Sequence, residues 1–185
     1  MAWRNPAEWA AVLEDVVKIM EAREAEMHGV SRLHIPTKDA PMIVVFVDEL
    51  ASLLWVSDRD VRRRIDAALG VLLSRGRSCA ISVVGCVQDP RKETVPARGL
   101  YTVRVLLAVN ESGDVELVLN RGAYDRGARA DKIPDTMRGV GFVEVDGQAE
   151  PVRIRFCHVT DDHIRALCGG WRPPTALPQI DDEAA

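Results

Sequence analysis

The chain has 185 residues, 47% of them hydrophobic and 28% charged, with 24 Lys and Arg against 28 Asp and Glu for a formal net charge of −4. These values exclude a disordered chain and fit one globular domain with a sizeable core. The acidic balance excludes a surface that binds nucleic acid everywhere, so any DNA contact must be local or shared with other chains.

In chain order, Trp9, Val12, Leu13, Val16, Val17, Ile19, Met20 and Met27 recur at three- and four-residue steps, which predicts a helix from Pro6 to about His28. Pro6 suits its first turn and Gly29 its C-terminal cap. The run Met42-Ile43-Val44-Val45-Phe46-Val47 is wholly apolar and rich in β-branching, so it predicts a strand buried on both faces. It stops abruptly at Asp48-Glu49, where a short helix carrying Leu50, Leu53 and Leu54 begins. Ser57-Asp58 reads as the N-cap of a second helix that runs to about Arg75, with Val61, Ile65, Leu69, Leu72 and Leu73 on one face. A second apolar strand, Ala80 to Val87, ends in Gln88-Asp89-Pro90.

A third strand is expected from Thr102 to Val109, a short helix between Asp114 and Asn120, and a hairpin of Gly141–Val145 and Val152–Phe156 around Asp146-Gly147. Thr160 caps a last helix, Asp161 to Leu167, and residues 169–185 read as a disordered Pro-rich, acidic tail. This order predicts an α/β fold, a mainly parallel sheet flanked by helices with a late antiparallel hairpin. The four cysteines form no Cys-x-x-Cys pair, so neither a zinc site nor a disulfide framework is expected, and a reducing cytoplasm fits. No apolar run reaches the ~18 residues that cross a bilayer, and no signal peptide is expected.

The residues that point to chemistry are Asp48 and Glu49 at the tip of an apolar strand. Ligands of parallel sheets bind at the carboxyl ends of the strands. Two adjacent carboxylates there have a use in nucleotide hydrolysis: Asp48 to hold magnesium through water, Glu49 to orient and deprotonate the attacking water. Four or more apolar residues followed by Asp-Glu is the Walker B pattern. The competing reading makes Asp48 the cap of the following helix. Gln88, at the tip of the next apolar strand, can hydrogen-bond a γ-phosphate or the attacking water, or can be an ordinary turn residue.

No Gly-x-x-x-x-Gly-Lys-Ser/Thr occurs, so the backbone nest and lysine that hold β- and γ-phosphates are absent from these 185 residues. Arg98, Arg104, Arg121 and Arg126 are candidates for an arginine that acts in trans on a neighbouring subunit's nucleotide, with Arg98 and Arg121 carried forward. The cluster Arg59, Arg62, Arg63 and Arg64 is interleaved with Asp58, Asp60 and Asp66 and reads first as a solvated helix face, second as a contact to DNA phosphates. The four histidines have no metal-like spacing.

Together these segments resemble one family. Pro41 through Ala51 resembles the Walker B region of FtsK/SpoIIIE DNA translocases, and Leu73-Ser74-Arg75-Gly76-Arg77-Ser78-Cys79-Ala80-Ile81 resembles that family's entry into the sensor strand. Val87-Gln88-Asp89-Pro90 stands where the family has Thr-Gln-Arg-Pro. Asn120-Arg121-Gly122-Ala123 followed by Gly139-Val140-Gly141-Phe142-Val143 resembles its Gly-Ala segment and glycine-rich closing strand. The likeness is greatest to FtsK-like proteins of actinobacterial plasmids, phages and integrated elements.

The resemblance implies a RecA-like P-loop NTPase core. It implies ATP and Mg2+ as cofactors, with Asp48, Glu49 and Gln88 as the site residues. As partners it implies double-stranded DNA and either further motor subunits in a hexameric ring or a chain that supplies Walker A. Residues 1–168 would then be a partial motor domain without its Walker A portion, inactive alone, and cytoplasmic or brought to the membrane by another part or partner. Asp89 replaces the family's arginine after the sensor glutamine, and Glu116 stands where an arginine is common. Two alternatives stay open: a non-catalytic module that docks on intact motor subunits, and a related ATPase that moves protein or single-stranded DNA.

Overall fold

The computed structural model describes residues 5–56, 58–89, 95 and 97–170. They form two compact units, one of residues up to Leu100 and one from Tyr101 onward.

The first unit opens with α1 (Pro6–Met27). The Asn5 side chain caps it by accepting the Ala7 amide at 3.1 Å, Pro6 sits in the first turn, and Gly29 follows its end with φ of +73°. The chain then makes β1 (Ile43–Val47), the short α2 (Leu50–Leu54), α3 (Arg59–Arg75), a 3₁₀ turn (Gly76–Cys79) and β2 (Ile81–Gly85). Asp58 caps α3 as the sequence suggests, its carboxylate accepting the Asp60 and Val61 amides at 2.9 and 3.1 Å. β1 and β2 pair in parallel, from Ile43 opposite Ile81 to Val47 opposite Gly85. A parallel pair needs a crossover, which α2 and α3 supply.

The core of this unit lies on one side of the pair. Leu13, Val16 and Met20 of α1 meet Ile65, Leu69 and Leu72 of α3, with Ile81 beneath and Ile43, Val45, Val47 and Val83 packed against them. Each such aliphatic side chain contributes about 1.5–3 kcal/mol when fully buried. The alternate residues Val44, Phe46 and Val84 are 52%, 63% and 41% exposed. This corrects the expectation of a strand buried on both faces: β1 buries one face only, because α1 and α3 both pack on the same side.

The second unit contains a 3-stranded antiparallel sheet in the order β3-β4-β5, formed by β3 (Val103–Leu107), β4 (Val140–Val145) and β5 (Val152–Arg155). The α/β class with a parallel sheet and a late hairpin stands. The third apolar strand, however, joins the hairpin and not the parallel pair, Val103 facing Val145 and Leu107 facing Gly141. α4 (Ser112–Val118) and the loop after it close a second core of Leu106, Val115, Leu119, Ala123, Ile133 and Phe142. α5 (Asp161–Gly170) buries no residue and takes in Gly169 and Gly170, which the sequence reading gave to the tail. The rest of that tail lies outside the described residues.

Candidate functional site

The apolar runs end where polar chemistry begins, and backbone hydrogen bonds set those ends level. Past the last ladder pair, the Cys86 amide donates to the Val47 carbonyl and the Leu50 amide to the Cys86 carbonyl, each at 2.8 Å. Asp48 and Glu49 are thereby held beside the end of β2, and Gln88 follows two residues after Cys86. All three lie at the carboxyl edge of the parallel pair, where ligands of such sheets are bound. Cys86, although it stands in an apolar run, is exposed here, whereas Cys79 at the opposite end is buried.

The cap of α2 is made by Glu49 and not by Asp48: a carboxylate oxygen of Glu49 accepts the Ala51 amide at 3.1 Å. Glu49 keeps its other oxygen for further contacts. Asp48 is exposed and, among the described residues, enters no ion pair; Gln88 is exposed as well. The donors at this edge are therefore carboxylate and amide oxygens, hard ligands of the kind Mg2+ takes. Among the described residues no group of three or more His, Cys, Asp or Glu could hold a metal. A Mg2+ ion at Asp48 would draw its remaining ligands from water and phosphate oxygens, as this ion commonly does.

The arginine candidates separate on their partners. Arg104 donates to the side-chain oxygen of Asn120, and Arg126 pairs with Glu144 and donates to the Arg121 carbonyl at 3.0 Å. Both are occupied in holding the loop after α4. Arg121, on that loop, is exposed and its guanidinium has no partner among the described residues. Arg98 is half-buried in the 3₁₀ turn Arg98–Leu100 of the first unit. Arg62, Arg63 and Arg64 pair with Asp66, Asp60 and Glu14, as a solvated helix face does.

Sequence reasoning missed Glu144. It is 4% exposed and accepts the Asn120 amide and Arg126, while Glu116 accepts the Gly122 amide at 2.8 Å. The loop that carries Arg121 is thus pinned from two carboxylates. The available signal was an acid between Val143 and Val145 in an otherwise apolar strand.

A parallel pair with helices packed over one face and polar residues at its carboxyl edge is an α/β arrangement shared by RecA-like P-loop NTPase domains. Comparison with known proteins narrows the class. The chain is 32% identical over 175 residues to a "Sporulation regulatory protein" of Streptomyces azureus, covering 89% of this chain and 57% of that protein. It is 25% identical to "Protein Tra" of Streptomyces lividans over 80% of this chain and 28% of Tra. It is 26% identical to "DNA translocase FtsK" of Bacillus cereus over 70% of this chain and 15% of FtsK. The chain therefore spans about half of the first relative and much less of the others.

Among solved structures, the pCW3 conjugation coupling protein TcpA, determined as a monomer with ATPγS, matches with a TM-score of 0.69 at 19% identity, covering 85% of this chain and 46% of that one. The cytoplasmic domain of the type VII secretion ATPase EccC of Thermomonospora curvata matches with a TM-score of 0.56 at 16% identity, over 91% of this chain and 21% of that one. No protein-family model matches the chain. The chain is similar to proteins of FtsK/SpoIIIE type, and its fold is that of the P-loop ATPase motors.

Proposed function

We propose that this chain is the Walker B-bearing part of an FtsK/SpoIIIE-like motor that uses ATP to move double-stranded DNA, in transfer or segregation. The hydrogen bonds from Cys86 to Val47 and from Leu50 to Cys86 carry this reading, because they bring Asp48, Glu49 and Gln88 to one strand edge. In it, Asp48 binds Mg2+ through water. Glu49 orients the attacking water and takes its proton through the oxygen left free by the α2 cap. Gln88 hydrogen-bonds the γ-phosphate or that water and so distinguishes intact from hydrolysed nucleotide. The metal, when bound, offsets phosphate charge.

With no Gly-Lys pair in the sequence, the β- and γ-phosphates need a cradle from another segment or chain carrying Walker A. Residues 1–168 then act as one part of a motor whose other subunits, in a ring, contribute the rest. Arg121 and Arg98 are the side chains proposed to reach a neighbour's nucleotide. The whole assembly works in the cytoplasm, at the membrane where another part anchors it.

A second reading has its own observation. Glu49 already serves as a helix cap, a role that needs no chemistry, and a module that docks on intact motor subunits would retain it. Turnover separates the two. ATP hydrolysis is measured with Mg2+ and duplex DNA, with and without a chain carrying the Walker A segment, beside Glu49→Gln. Turnover that requires the added chain and vanishes in Glu49→Gln supports the motor part. Stimulation that persists in Glu49→Gln supports the docking module.

A further inference from the structure

The second unit holds a cavity of about 450 Å³ where the start of β4 meets the residues that follow β5. Arg138, Arg155, His158 and Thr136 line it, together with Phe156. The backbone fixes this grouping. Val140 faces Arg155 across the ladder, and one step further the Phe156 amide donates to the Gly139 carbonyl at 2.9 Å. Gly139 has φ of +77°, and a Cβ there would crowd the Phe156 carbonyl oxygen at 3.2 Å, so the close approach depends on glycine.

The charge is one-sided. No carboxylate lines the cavity, and among the described residues neither Arg138 nor Arg155 has an ion-pair partner. The nearest acids in sequence, Asp135 and Asp161, do not line it. By contrast, Arg62, Arg63, Arg64, Arg75, Arg126 and Arg165 each form an ion pair with a carboxylate. Two unpaired guanidiniums sharing one concavity repel each other, and that repulsion turns to attraction when an anion sits between them. Their planar forks match phosphate oxygens, and a threonine hydroxyl and an imidazole add further donors.

The setting favours a long anion over a small one. β5 is the outer strand of its sheet, and Arg153 lies exposed on it two residues before Arg155, its guanidinium donating to the Met137 sulfur at 3.5 Å and, among the described residues, forming no ion pair. The cationic groups thus run along an open edge.

We propose that this cavity seats the phosphate backbone of duplex DNA. The proposal rests on the reading of the chain as part of a DNA-moving motor and adds where the chain touches its cargo. It moves the DNA contact away from the start of α3, where Arg62, Arg63 and Arg64 are paired with carboxylates of the chain itself.

The test is binding of a fluorescein-labelled duplex to the full chain, by anisotropy, from about 50 to 200 mM NaCl. For the double variant Arg138→Gln/Arg155→Gln, the slope of log affinity against log salt falls by about two and affinity at ~0.1 M salt falls about tenfold. Arg63→Gln, in a paired and exposed arginine, stays within about twofold of the parent. Arg138→Lys/Arg155→Lys keeps most of the salt slope, since the point charges remain, and shows that loss in the first variant is not misfolding. An unchanged slope in the glutamine variant, failure of the parent to bind duplex, or loss of a fluorescent ATP analogue in place of duplex would each overturn the proposal. Glu49→Gln keeps the outcomes apart: it retains the parental DNA slope while turnover with the Walker A chain is lost. Turnover that fails in every form while the arginine result holds sinks the motor reading alone.

Discussion

The Cys86 amide donates to the Val47 carbonyl at 2.8 Å, and this hydrogen bond joins the two strand ends one residue past the ladder. Its consequence falls on Glu49, which stands at that strand edge and caps α2 with one carboxylate oxygen. Glu49→Ala removes the acceptor of the Ala51 amide and lowers stability by about 1 kcal/mol. Glu49→Gln keeps an oxygen in the same place and stays within about 0.5 kcal/mol of the parent. Urea unfolding of the three proteins measures both, and equal losses in the two variants would show that α2 needs the charge and not the acceptor.

At the other end of the same strands, Arg23 is 4% exposed and donates to the Cys79 and Pro41 carbonyls, each at 2.7 Å. These carbonyls lie two residues before Ile81 and Ile43, which face each other in the ladder, so one guanidinium ties α1 to both strand entries. Arg23→Met retains the packing of the stem but strands two acceptors, and stability drops by about 2–3 kcal/mol. Burial pulls the guanidinium pKa down, yet it stays protonated, so the loss is the same at about pH 6 and pH 9. A loss under about 0.5 kcal/mol would mean that water reaches these carbonyls.

α1 and α3 are also joined by Arg64, which donates to both carboxylate oxygens of Glu14 at 2.7 and 2.6 Å. The hydrogen bond from Arg64 holds the Glu14 carboxyl below its ordinary value of 4.5, against a smaller upward push from burial. A depressed acid stabilises the fold above its unfolded pKa, and the contribution is lost as pH falls through the folded one. The stability gap between the parent and Glu14→Gln is therefore open at about pH 6 and closes toward pH 3, and high salt narrows it too. A gap that ignores both pH and salt would assign the effect to packing.

What the sequence disclosed and what it withheld follow from the kind of signal each feature leaves. The strand-tip places of Asp48-Glu49 and Gln88 were legible because an apolar run stops at each, and Asp58 because a cap is a local event. An unbroken apolar run has no alternation, so Met42 to Val47 could not say that Val44 and Phe46 face away from the helices. Nor could the third strand declare its partner, since the register of Val103 opposite Val145 is set by residues far apart in the chain. Glu144 was hidden for the same reason: its partners Asn120 and Arg126 come from a loop that only the folded chain brings to β4.

Gly141 lies in a segment that the sequence marks as glycine-rich, and the register supplies the reason. It faces Leu107 in the ladder, and a Cβ on it would overlap the Leu106 carbonyl, backbone against backbone, where no side chain can yield. Gly141→Ala forces β3 and β4 apart and costs about 3 kcal/mol. Gly113, in α4, has open space around it, so Gly113→Ala is neutral or stabilising by up to about 1 kcal/mol. Thermal melts of the pair read the contrast, and equal effects would mean that the strands accommodate the methyl.

The outward face of the parallel pair carries the last prediction. Val44 faces Ser82 and Phe46 faces Val84 across the ladder, and Met42, Val44, Phe46 and Val84 are between 41% and 63% exposed. Contiguous apolar surface of this kind, on strands that each have one partner among the described residues, drives association. Phe46→Ser removes the largest of these four side chains and loses little packing, so it leaves the melting temperature nearly unchanged while reducing self-association in sedimentation velocity. A parent chain that sediments as a clean monomer at about 50 μM would show that this face is not adhesive. A variant that melts well below the parent would show that Phe46 is covered in solution.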